Sequence, residues 1–100
     1  MNLIEIYYLR FDNIDLMFNT SKITKENIDK THVKMPSPPI KITTPDEAFS
    51  FYNGEDNPLQ TIENQIFIRN VKTHTSMSVG DAISINGILY LCEDLGWRVL

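Results

Sequence analysis

The spacing of apolar and polar residues changes along the chain, and each change marks a predicted element. Leu3 to Phe11 (LIEIYYLRF) is apolar on both faces of a period-two reading, which predicts a strand covered on both sides or central in a sheet. Asn13 to Asn19 (NIDLMFN) fits a short helix, with Asn13 as cap and Ile14, Met17 and Phe18 on one side. Ile23 to Lys30 reads as a turn of helix. Four of the five prolines fall at Pro36, Pro38, Pro39 and Pro45, so Met35 to Thr43 is expected to be an extended connector. It leaves room for an edge strand at Ile40 to Thr43; a polyproline ligand is the other reading.

The strongest local signal follows. Thr44-Pro45-Asp46-Glu47 places a hydroxyl at the N-cap, proline at the first helical position and glutamate at the third, a capping box with acidic residues at the positive end of the helix dipole. A helix over Pro45–Asn53 is predicted, with Ala48, Phe51 and Tyr52 on one face, Phe49 beside it, and Gly54 as a left-handed C-cap. Gln65 to Val71 (QIFIRNV) alternates as a strand would. Then come two apolar runs, Asp81–Ile85 and Ile88–Cys92, joined by Asn86-Gly87, the pair that a tight hairpin turn favours. A last strand, Gly96–Leu100, places Trp97 and Val99 on one face. The predicted fold class is α+β: a small antiparallel sheet, made of the N-terminal strand and a C-terminal three-stranded meander, packed on one or two short helices. One domain over residues 1–100, with residues 35–44 as an internal proline-rich connector, is expected at this length.

Composition narrows the function classes. With 42% apolar residues and a net charge of −4, the chain is expected to be globular, not disordered. No apolar run approaches the ~18 residues of a membrane span, and Glu5 and Arg10 interrupt any secretory signal. A single cysteine, Cys92, excludes an internal disulfide and fits a reducing compartment, the cytoplasm. Thirteen isoleucines and nine asparagines against two alanines point to an AT-rich genome. Charge is uneven. Residues 1–44 carry six Lys/Arg and five Asp/Glu, whereas residues 45–100 carry three and eight. An acidic second half suits a basic partner surface and disfavours nucleic acid, which needs clustered cations. Lys22, Lys25, Lys30 and Lys34 form the nearest approach to such a cluster, and Glu26 and Asp29 interrupt it.

Candidate chemistry is sparse. His74 with Cys92 is the one thiol–base pair on offer, and Cys92 reads better as a small core residue. His32, His74 and Cys92 lack the close ligand spacing of a zinc site. Tyr7, Tyr8, Tyr90 and Trp97 are aromatic candidates for a small-ligand or nucleotide site, or for an enzyme site formed on oligomerisation. No catalytic residue, metal or cofactor is expected. The candidate partner-binding residues are the paired carboxylates Glu55-Asp56 and Glu93-Asp94, with Trp97. Ser76, Ser78, Gly80 and Asp81 are assigned to a structural loop in which hydroxyls and a carboxylate bond the local backbone.

Ser76-Met77-Ser78-Val79-Gly80-Asp81, followed by Ile83, Asn86-Gly87, Tyr90, Cys92, Gly96 and Trp97, resembles the C-terminal signature of small bacteriophage and mobile-element proteins, the YodL-like domain among them. The resemblance covers residues 74–100 and, more weakly, 48–58. It implies a phage or mobile-element origin, an α+β fold and no catalytic residues. Combined with the small size and acidic second half, it predicts a non-catalytic interaction protein that binds and modulates a host protein, such as a defence or transcription component, in the host cytoplasm. A homo-oligomer is compatible with this reading.

Overall fold

The computed structural model describes residues 2–36, 41–54, 61–69 and 77–100. Five strands form one antiparallel sheet: β1 (Ile4–Leu9), β2 (His32–Pro36), β3 (Ala82–Ile85), β4 (Ile88–Glu93) and β5 (Gly96–Val99). Their order is β2-β1-β3-β4-β5, so the first strand of the chain is inserted between its hairpin partner and the C-terminal meander. This is the α+β arrangement expected from the sequence, with β1 interior. The Asn86-Gly87 turn is present, and both residues have the positive φ (51° and 89°) that such a tight turn requires.

The alternation of β1 divides the core in two. Ile4, Ile6 and Tyr8 point to one face with Met35, Ile83 and Ile85, where α2 (Pro45–Tyr52) covers them through Ala48 and Tyr52. Tyr7 points to the other face with Ala82, Leu89 and Leu91, where Ile23 and Ile28 cover it. Ile28 opens α1 (Ile28–Thr31), one turn that runs directly into β2. Tyr8, Tyr52, Ile83 and Leu91 are wholly excluded from water, and each buried side chain of this size contributes about 1.5–3 kcal/mol.

Helix α2 starts as the capping box predicts. The Glu47 N–H donates to Thr44 Oγ1 at 3.2 Å, and the Thr43 and Thr44 hydroxyls donate to Glu47 Oε1 at 2.9 and 3.0 Å. These bonds favour the ionised carboxylate and hold the Glu47 pKa below its ordinary value. The helix ends differently from the expectation. Gly54 is not left-handed; the Asn53 and Gly54 N–H groups close back onto the Phe49 and Phe51 carbonyls at 3.2 Å. Asn53 then uses its amide on both main-chain groups of Met77, accepting from N–H at 2.6 Å and donating to C=O at 3.3 Å.

Three other expectations are corrected. The stretch predicted as a strand at Gln65–Val71 belongs, as far as residue 69, to a helix, α3 (Ile62–Arg69); residues 70 and 71 lie outside the described residues. Its start signal lies upstream of the alternating run, where the Asn64 N–H donates to Thr61 Oγ1 at 3.2 Å. The edge strand expected at Ile40–Thr43 is instead β2, residues 41–43 having no strand pairing. The short helix expected at Asn13–Asn19 is a 3-10 segment, Phe11–Phe18, with Asn13 inside it at φ −116° and not at its cap. That segment buries none of its residues, and Phe18 is 85% exposed.

Candidate functional site

Short β3 is completed at both ends by side chains. At one end Asn86 accepts the Leu3 N–H through Oδ1 at 2.8 Å while giving its own N–H to Leu3 O at 2.9 Å. At the other end Asp81, fully buried, accepts the Leu9 N–H through Oδ1 at 2.8 Å and the Ser78 N–H through Oδ2 at 2.9 Å. The Ser78 hydroxyl adds a longer contact of 3.4 Å. His32, also buried, meets Gly80 O through Nε2 at 2.6 Å and the Thr31 hydroxyl through Nδ1 at 2.7 Å. The Gly80 N–H donates to Cys92 O at 2.9 Å, and the Cys92 N–H to Asp81 O at 2.8 Å. Gly80 sits at φ +94°, which disfavours any side chain, and a Cβ there would lie 2.9 Å from Leu9 Cδ2. Ser78, Gly80 and Asp81 thus lock the 78–81 turn against β1, β2 and β4. Ser76 lies outside the described residues, as do Glu55, Asp56 and His74.

Glu93 and Asp94, adjacent in sequence, have different partners. Glu93 Oε2 accepts from the Thr20 hydroxyl at 2.8 Å and from Arg98 Nε at 3.3 Å. Arg98 Nη2 also donates to the carbonyls of Thr20 and Ile23, at 2.8 and 3.4 Å. One ion pair therefore ties the β4–β5 turn to the segment that follows Phe18. Asp94 lines a cleft of about 310 Å³ together with Met17, Phe18, Thr20 and Val79. Glu93 has Arg98 as counter-ion, whereas Asp94 has no ion pair among the described residues.

One apolar wall residue of the cleft, Phe18, and the residue that follows Asp94, Leu95, are held in water. Phe18 is 85% exposed, and Leu95, at the tip of the β4–β5 turn, is completely exposed. A large apolar residue at a two-residue turn tip contributes nothing to the core. Asp94 was a candidate from the sequence; Met17, Phe18, Thr20 and Val79, which line the cleft with it, were not.

Trp97 has a different setting. Its Nε1–H donates to Asp46 Oδ1 at 2.9 Å, and its ring meets Phe49 edge-on at 6.2 Å, which fastens β5 to the first turn of α2. The aromatic candidates for a ligand site do not converge, because Tyr7 and Tyr8 face opposite sides of the sheet. Burial, with Glu5 nearby, raises the Tyr7 pKa above its ordinary value. Among the described residues no group of three or more His, Cys, Asp or Glu could hold a metal ion, and no helix is long and apolar enough to cross a membrane.

No protein-family model matches the chain, and no solved structure matches it. Over 50 residues the chain is 44% identical to an uncharacterised protein of Acanthamoeba polyphaga mimivirus. That stretch covers 50% of this chain and 46% of the relative, so the match spans about half the length of each.

Proposed function

We propose that the chain is a viral, non-catalytic interaction protein that binds and modulates a host protein through the cleft at the β4–β5 turn. The exposure of Phe18 on the wall of the cleft that Asp94 also lines, with exposed Leu95 next to Asp94 in the β4–β5 turn and no ion pair to Asp94 among the described residues, carries this reading. Two bulky apolar groups beside one charge suit a partner surface that offers an apolar pocket rimmed by lysine or arginine. The similarity to a mimivirus protein supports a viral origin, and the Ser76–Trp97 motif supports the YodL-like, phage or mobile-element version of it. A defence or transcription component in the host cytoplasm is the proposed target class.

The test is capture from an amoebal lysate at low salt, with the parent chain compared against a Phe18→Ser/Leu95→Ser double variant of matching circular dichroism. Burying two such side chains contributes about 3–6 kcal/mol, so the variant is expected to lose at least about 100-fold in affinity for any saturable partner. Asp94→Asn is expected to weaken binding less and to flatten its salt dependence. Identical capture by parent and double variant, or no saturable partner at low salt, overturns the proposal.

A further inference from the structure

The two edges of the sheet are not equivalent. At the β2 edge, the N–H of His32 is already spent on Ile28 O, Pro36 has no N–H, and Lys34 stands between them. Proline and lysine on an edge are devices that keep other strands away. The β5 edge has neither. Its hydrogen-bond phase follows from the Leu100 N–H, which donates to Leu89 O at 3.0 Å. Antiparallel pairs alternate between bonded and non-bonded, so Arg98 opposite Leu91 and Gly96 opposite Glu93 also turn their main-chain groups toward β4. Trp97 and Val99 turn theirs outward, and no described residue takes them up.

We propose that this edge pairs with the β5 edge of a second copy of this chain, antiparallel about a two-fold axis at Arg98, joining two five-stranded sheets into one. The register is self-complementary. Trp97 faces Val99 of the second copy and Val99 faces its Trp97, and each of these pairs exchanges two main-chain hydrogen bonds. Both side chains lie on the α2 side of the sheet, where an aromatic residue opposite a β-branched one is a favourable cross-strand pair. The pairing covers Val99, which is 61% exposed in the single chain. Arg98 meets its own copy on the opposite face, and like charges there would ordinarily forbid the register. Each guanidinium is instead bound to Glu93 and to the Thr20 and Ile23 carbonyls of its own chain. That local neutralisation makes the axis tenable.

Sedimentation equilibrium over a wide concentration range tests the pairing. The parent is expected to rise from the 11.6 kDa chain mass to twice that value. Val99→Pro removes an outward N–H and no bond to β4, so this variant is expected to stay at the single-chain mass with an unchanged Trp97 near-ultraviolet signal. Register is read by crosslinking. At the axis, paired Cα atoms lie about 4.5 Å apart, within disulfide reach, so Arg98→Cys is expected to form a covalent dimer under an added oxidant. Val99→Cys, whose counterpart is Trp97, is expected to crosslink far less. A parent that remains at single-chain mass throughout overturns the proposal and leaves the edge to a strand of another protein. So does a folded Val99→Pro variant that dimerises like the parent, or crosslinking stronger at position 99 than at 98. If Val99→Pro unfolds, the two cysteine variants decide.

Discussion

Replacing Asp81 by alanine removes the acceptor for two main-chain N–H groups, those of Leu9 at 2.8 Å and Ser78 at 2.9 Å, in a place with no access to water. A hydrogen bond to a charged acceptor contributes about 1.5–3 kcal/mol, so the two together hold about 3–6 kcal/mol. Releasing a buried carboxylate from its desolvation cost offsets part of that loss. We expect a net destabilisation of about 3 kcal/mol, a large share of the ~5–15 kcal/mol available to a domain of this size. In a thermal melt this corresponds to a fall in Tm of about 12–24 °C. Asp81→Asn keeps an oxygen for the Leu9 N–H but turns a donor toward the Ser78 N–H, and is expected to lose about half as much. Hydrogen exchange supplies an independent reading: the Leu9 and Ser78 amides should lose protection in the alanine variant before the amides of β4 do. A urea melt placing Asp81→Ala within about 1 kcal/mol of the parent would refute the assignment of Asp81 as the acceptor that holds β1 to the 78–81 turn.

Gly80→Ala imposes a side chain at φ +94° and drives its Cβ to 2.9 Å from Leu9 Cδ2; a loss of about 1–3 kcal/mol is expected in the same melt. Trp97→Phe preserves an aromatic edge for Phe49 but deletes the 2.9 Å bond to Asp46, and is expected to cost about 0.5–1.5 kcal/mol by circular dichroism. The Glu47 pKa is depressed in the folded chain by the Thr43 and Thr44 hydroxyls. Its contribution is therefore complete above the unfolded carboxyl pKa and lost as pH falls through the lower folded value. Melts taken down the acid limb should fall more steeply for the parent than for Glu47→Gln, and parallel curves would exclude the linkage.

What the sequence made legible is local in origin. The Thr44 cap, the Asn86-Gly87 turn and the two-faced apolar run of β1 each act within a few residues, and each appears where it was expected. The misreadings have non-local causes. His32–Pro36 is too mixed to announce a strand and becomes one because Met35 and Val33 sit opposite Ile6 and Tyr8 of β1. In α3, Ile62 and Ile66, both exposed, are one helical turn apart, and the run QIFIRNV taken without Thr61 shows only the alternation. Ile14, Met17 and Phe18 read as one side of a helix, but spacing within seven residues does not say whether anything covers that side, and the 3-10 segment buries none of them. The cleft was invisible for the same reason on a larger scale. Its walls come from residues 17, 18, 20, 79 and 94, which no spacing rule connects.

The fold and the cleft are nonetheless one construction. Val79, on the cleft wall, is held between Ser78 and Gly80, both fixed by the Asp81 and Cys92 bonds. Thr20, on another wall, is fixed through Glu93 and Arg98, and the same Glu93 leads into Asp94 and Leu95. Phe18 and Leu95 are therefore exposed groups on anchored backbone, which lowers the ordering cost of burying them against a partner. A buried change that leaves the rim chemically intact should then weaken partner capture. Asp81→Asn, tested well below its Tm, is the variant that separates this view from one in which Phe18 and Leu95 are merely tolerated at the surface. Reduced affinity with an unaltered rim would tie the Asp81 turn to the binding surface; unchanged affinity would show that the two are independent.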